Sequence, residues 1–165
     1  MPVTSTLKNV EALTLTFVTE FEAPVERVWQ LWKDPRQLER WWGPPSFPAT
    51  FTHYEFTEGG AVSYHMTGPD GSTPAGWWKI LTIVPEERLE LEDGFADEDG
   101  NPIAEMGSAR LVVTFDSIGA GTRMTITNTF ESREQFDTML EMGMEEGMRE
   151  ALGQMDALLV DAEVA

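Results

Sequence analysis

Cysteine is missing from this sequence of 165 residues. Disulfide frameworks, thiol nucleophiles and cysteine-based zinc sites are excluded with it. Basic side chains are scarce: 11 Lys and Arg stand against 29 Asp and Glu, a formal net charge of -18. Lysine occurs only at Lys8, Lys33 and Lys79, and the arginines are scattered. Nucleic acid and anionic membrane surfaces both need clustered cations, so neither is an expected partner. No apolar run approaches the roughly 18 residues of a membrane span, and no membrane insertion is expected. The first residues lack the apolar stretch of a secretory signal, which makes a cytoplasmic protein the default expectation. Glycine-rich phosphate cradles and a Gly-x-Ser-x-Gly elbow are also absent, so no cofactor is expected.

What is present suits a packed core. The hydrophobic fraction is 41% and six tryptophans occur, which argues against disorder despite the charge. The length fits a single domain over 1–165, with 1–9 and 161–165 as flexible ends. Leu13, Leu15 and Phe17 alternate with Thr14 and Thr16, the period of a half-buried strand. Pro24 then opens a short helix with Val25, Val28, Trp29 and Trp32 at helical spacing. Asp34-Pro35 stops it and caps a second short helix, which ends at Gly43-Pro44-Pro45.

Six strand patterns follow: 49–56, 61–67, 76–84, 88–95, 108–116 and 122–130. Turns at Gly59-Gly60, Pro69-Asp70-Gly71, Pro85-Glu86-Glu87, Ala96–Pro102 and Gly119-Ala120-Gly121 separate them. From the N-cap Ser132 onward, Arg133–Val160 carries helical periodicity with Phe136, Leu140, Gly143, Met144, Gly147, Ala151, Met155 and Leu158 on one face. Strands in a run with helices segregated from them mean α+β.

Few residues carry chemistry. His53 and Glu55 share one expected strand face with Phe51, but no second histidine-rich element complements them, so no metal site is expected. The acidic loop at Phe95–Met106 lacks two anchor ligands of a calcium loop. Trp41 and Trp42 are adjacent on a helix and cannot share a face; one enters the core and the other looks elsewhere, over a cavity mouth. Gly143 and Gly147 lie one turn apart, and each costs a helix about 1 kcal/mol against alanine. They imply either close backbone approach to the sheet or room left open beneath the helix. Nearby Met139, Met142, Met144 and Met148 make an adaptable lining.

The succession Pro24-Val25-Glu26-Arg27-Val28-Trp29-Gln30-Leu31-Trp32, Asp34-Pro35, then Leu38-Glu39-Arg40-Trp41-Trp42-Gly43-Pro44, resembles the START-like superfamily (SRPBCC). It is closest to the activator of heat-shock-protein-ninety ATPase homologue-like branch. Glu58-Gly59-Gly60, Tyr64-His65-Met66, Ile83–Leu89, Gly121–Thr125 and Met142–Met148 extend the match over 10–160. The resemblance implies a helix-grip (START-like, Bet v 1-like) fold. About seven antiparallel strands would wrap the long C-terminal helix, with two short helices after the first strand and a deep cavity between sheet and helix.

Superfamily relatives bind lipids, sterols, hormones or polyketides, and some are cyclases or hydrolases; fold alone does not select among these. The leading expectation is a cavity that binds a small apolar or amphipathic molecule. Trp41, Trp42, Phe47, His53, Tyr64, Met66, Trp78, Phe95, Asn128, Met139, Gly143 and Gly147 are its candidate ligand-binding residues. Tyr64, His53 and Asn128 would be the polar handles. An enzyme in the same cavity is the alternative, and no catalytic constellation stands out. A chaperone partner ranks last, because the co-chaperone that names the branch carries a second domain not seen here. A homodimer is left open.

Overall fold

The computed structural model describes residues 3–164. Its elements are β1 (Val3–Asn9), β2 (Thr14–Phe21), α1 (Val25–Lys33), α2 (Pro35–Leu38), β3 (Ala49–Tyr54), β4 (Ala61–Met66), β5 (Ala75–Val84), β6 (Arg88–Ala96), β7 (Ser108–Ile118), β8 (Gly121–Thr129), α3 (Arg133–Glu141) and α4 (Met144–Val164). All eight strands form one antiparallel sheet in the order β1-β2-β8-β7-β6-β5-β4-β3. The fold is α+β, a large curved sheet with C-terminal helices, in the helix-grip arrangement. Strand β2 pairs with β8, so α1 and α2 must carry the chain across to the far edge at β3.

Strict alternation gives the sheet one dry face. Leu15, Phe17, Thr19 and Phe21 of β2 point inward, as do Leu111, Val113 and Phe115 of β7 and Met124, Ile126 and Asn128 of β8. Helix α1 buries Val28, Trp29, Leu31 and Trp32, and α4 buries Ala151, Leu152, Met155, Leu158 and Leu159. Asp34 ends α1 and caps α2, its carboxylate accepting from the Arg36 amide at 2.9 Å. A glutamine ties the long helix to the tryptophan segment: Gln154 Nε2 donates to the carbonyls of Trp41 (3.2 Å) and Gly43 (2.8 Å).

Three expectations are corrected. The sheet has eight strands, because Val3–Asn9 is not a loose end but pairs with β2. An edge strand is paired on one side, and the side chains of β1 are mostly exposed (Leu7 is 61% exposed), so no apolar alternation marks it. The second short helix stops at Leu38 instead of running on to Gly43, and Trp41 and Trp42 follow it in a turn; residues 1, 2 and 165 lie outside the described residues.

Thirdly, the C-terminal helix is broken in two. Gly143 adopts φ +86°, a left-handed conformation that ends α3 and restarts the chain as α4. The Gly143 amide donates to the Leu140 carbonyl at 3.1 Å across this stop. Upstream, Ser132 accepts from the Gln135 amide at 3.1 Å and caps α3. Ser132→Ala is therefore expected to cost about 1 kcal/mol in urea denaturation, the usual loss for an N-cap hydroxyl.

Candidate functional site

Adjacent tryptophans in the turn that follows α2 divide their work. Trp41 is fully buried and donates its indole N–H to the Leu31 carbonyl at 2.8 Å. Trp42 packs edge-on against Trp78 (ring centroids 5.0 Å) and Tyr64 (6.2 Å), and its outer side forms the wall of a pocket. The following Gly43 sits at φ +94° and lets the chain turn beneath Phe47 and Met66.

The pocket measures about 320 Å³ and lies between the sheet and the α3–α4 bend. One wall is Trp42, Pro44, Phe47, Tyr64 and Met66, and the floor is Asp93, Gly94, Phe95 and Ala109. The helical wall is Met139, Met142, Gly143, Met144, Gly147, Met148 and Ala151. Residues 147 and 151 lie one turn apart, so the start of α4 presents small side chains to the space, and Gly143 borders it from the bend. A Cβ added at Gly143 or Gly147 would meet nothing within 4 Å. At Gly147 open room is the reading observed, while Gly143 answers to neither reading, its glycine being required by the positive φ at the bend.

Polar groups are few and gathered. Tyr64 lies on β4 opposite Gly76 of β5, where any Cβ would collide with the phenol ring. Its hydroxyl is 3.5 Å from Asp93 Oδ1, at the outer limit of a hydrogen bond. Burial, and secondarily the hydrogen bond to Tyr64 in opposition, sets the Asp93 carboxyl: it is pushed up to about 7. Tyr64 is raised well above its ordinary value by burial and then by the charge of Asp93. The indole N–H groups of Trp42 and Trp78 act on the same phenol oxygen and oppose that rise, yet neither reaches a partner at hydrogen-bonding geometry. Two buried N–H donors are thus left unsatisfied beside the pocket.

Eight of the candidate residues line this space: Trp42, Phe47, Tyr64, Met66, Phe95, Met139, Gly143 and Gly147. Four do not. Trp41 is core, and Trp78 stands behind Trp42 at 1% exposure. Asn128 is buried between β2 and β7 and does not reach the pocket, its amide donating to the Leu15 carbonyl at 3.2 Å. His53 is exposed and contacts Glu55 at 2.6 Å on the outer surface. The expected face for His53 is overturned by a β-bulge: the register of β3 on β4 slips between Phe51 and His53. Phe51 points inward, Thr52 and His53 both point out, and Tyr54 turns in again to donate to the Trp32 carbonyl.

Asp93 is the site residue that sequence reasoning missed. The signal was available, since Leu89, Leu91, Asp93 and Phe95 share parity on β6 and both leucines are buried. Beside the pocket lies a second, more acidic groove of about 440 Å³ bounded by Glu105, Glu131, Glu134 and Thr138, which shares Gly107, Gln135 and Met139 with it.

Comparison with known proteins gives this architecture its relatives. The model of the family described as Activator of Hsp90 ATPase homolog 1-like protein matches residues 22–160. The chain belongs to that family. A solution NMR structure from Arthrobacter aurescens is 56% identical, with TM-score 0.93 over 96% of this chain and 92% of the other. A crystal structure from Mycobacterium smegmatis is 46% identical, with TM-score 0.89 over 96% and 97%. A Rhodobacter sphaeroides protein at 22% identity and TM-score 0.82 over 95% and 98% shares the fold. No curated protein matches. The homolog 1-like family match begins at residue 22 and so leaves out β1 and β2 up to Phe21, while the Arthrobacter and Mycobacterium relatives span nearly the whole chain. No helix among the described residues is long and apolar enough to cross a membrane.

Proposed function

We propose that this protein binds a small apolar or amphipathic molecule in the pocket between β4–β6 and the α3–α4 bend. The observation that carries the reading is the open space beneath α4: Gly143 and Gly147 face it with no Cβ, and methionines and aromatic rings surround it. A volume of about 320 Å³ is at the small end of ligand cavities, which run from roughly 300 to 1,000 Å³. Four methionines on the helical wall can repack around ligands of different outline. Apolar contact would supply affinity, and the Tyr64–Asp93 pair would orient the ligand.

Native mass spectrometry of the purified protein tests for a retained molecule. Titration of Trp fluorescence with a panel of neutral lipids and aromatic polyketide-like compounds tests for binding, since Trp42 is part of the wall. Saturable quenching at micromolar concentration is expected. A flat response to every compound, with no retained mass, removes the proposal.

A second reading has one observation in its favour. Asp93 is a carboxyl that titrates near neutral pH in an apolar pocket, the condition for a general acid or base. Chemistry on a carbonyl compound in the same space fits that group. Turnover of such a compound lost in Asp93→Asn, with binding retained, would establish it.

A further inference from the structure

The polar end of the pocket is better matched to one kind of ligand than to another. Two donors border it, the Tyr64 hydroxyl and the Trp42 indole N–H, and the Trp78 indole N–H lies behind them near the same phenol oxygen. Both indoles are more than nine-tenths buried, at 5% and 1% exposure, and both N–H groups lack a hydrogen-bond partner. A buried unsatisfied donor costs roughly 1–3 kcal/mol, so this corner has donors in search of an acceptor. The Asp93 carboxylate lies too far for a strong bond, with its nearer oxygen 3.5 Å from the hydroxyl. Trp42, Tyr64 and Asp93 all touch the open space. A second anion placed there would face the Asp93 charge in an apolar enclosure, where like charges repel strongly.

Building on the cavity reading above, we infer that the pocket selects apolar molecules ending in an uncharged oxygen acceptor, such as a ketone, aldehyde or amide carbonyl. That oxygen seats against Tyr64 and Trp42, and the pocket rejects a carboxylate at the same position. The carbonyl oxygen accepts from the phenol O–H and the Trp42 N–H, while the apolar remainder lies along Met66, Phe95 and the methionines of the helical wall. No bond is made or broken in this step.

Three naphthalene probes of nearly equal size test it: 2-acetylnaphthalene, 2-ethylnaphthalene and 2-naphthoate, by equilibrium dialysis against the full chain at pH 8. The ketone is expected to bind about 10-fold tighter than the hydrocarbon and the carboxylate, the ratio one good buried hydrogen bond supports. In Tyr64→Phe and in Trp42→Phe, each checked for folding by circular dichroism, the ketone-to-hydrocarbon ratio is expected to fall to about 3 or less. Equal binding of ketone and hydrocarbon, tighter binding of naphthoate, or a ratio that survives both substitutions overturns this inference and leaves the cavity reading standing. Binding of none of the three overturns both.

Discussion

Gly147→Leu is expected to abolish ligand binding without unfolding the protein. Position 147 is in the first turn of α4, and the space its Cβ would enter is empty for 4 Å around. Ala151, one turn on along the same face, also borders the pocket, so the leucine side chain projects into it. The added chain occupies a large part of about 320 Å³ and competes directly with the ligand. At least a 10-fold loss of 2-acetylnaphthalene affinity is expected in equilibrium dialysis, about 1.4 kcal/mol or more. Stability moves the other way, since replacing glycine in a helix gains about 0.5–1 kcal/mol. Gly147→Ala separates the two effects: it takes the helix gain while leaving most of the space. Loss of thermal stability in both variants would mean that the helix packs more closely than the open space indicates. Undiminished binding in Gly147→Leu would place the ligand elsewhere.

The second large effect concerns Asp93 and pH. Its carboxyl titrates at about 7 in the folded protein against 3.8 for the free side chain. A raised folded value means that the native state holds a proton the unfolded chain has released. The Asp93 contribution to stability is therefore greatest below about pH 4, declines as pH rises, and is gone above about 7. The slope amounts to about 1.4 kcal/mol per pH unit while it lasts, so about 3 kcal/mol is lost between pH 5 and 8. Asp93→Asn removes the titrating group and keeps the shape. It is expected to flatten that decline and to be the more stable protein at pH 8, as read by urea denaturation at several pH values. Parallel slopes for the two proteins would show that Asp93 is as well hydrated as a surface carboxylate. The charge of -18 spread over the surface adds little to this window, because ordinary carboxylates have finished titrating near pH 5.

Most of the sheet was legible because one face of it is dry. In β2, β7 and β8 the inward residues are mostly apolar and the outward ones mostly polar, so period two is plain in those strands. Three features escaped for separate reasons. Strand β1 lies at an edge with exposed side chains and carries no pattern to read. The bulge at Thr52-His53 adds one residue to β3, which turns His53 outward, and nothing in the local composition announces it. Gly143 was seen as a helical glycine, whereas its positive φ makes it a stop between two helices. Helical periodicity survives on both sides of the break, so the sequence pattern alone runs straight through it.

Asp93 is hard to see for a different reason: it is one acid among 29 Asp and Glu, most of them on the surface. Its parity with Leu89 and Leu91 placed it on the dry face throughout. Among the polar candidates, Tyr64 lines the pocket and Asn128 does not, although both are buried inward-facing residues of strands. Asn128 sits where β8 pairs with β2, and its amide is satisfied by Leu15. Alternation gives a residue's side of the sheet but not its place along it.

The sequence by itself determined the fold class and the order of nearly all the elements, because these follow from local periodicity and turn chemistry; the family entered through the resemblance of its motifs. Only the tertiary structure decided where the space is. A cavity is what neighbouring elements fail to fill, and it depends on the bend at Gly143, the slip in β3 and the seat of Trp42. The meeting of Tyr64 with Asp93, 29 residues apart in sequence, is of the same kind. Their chemistry arises from shared burial across two strand pairings, which no single stretch of the chain contains.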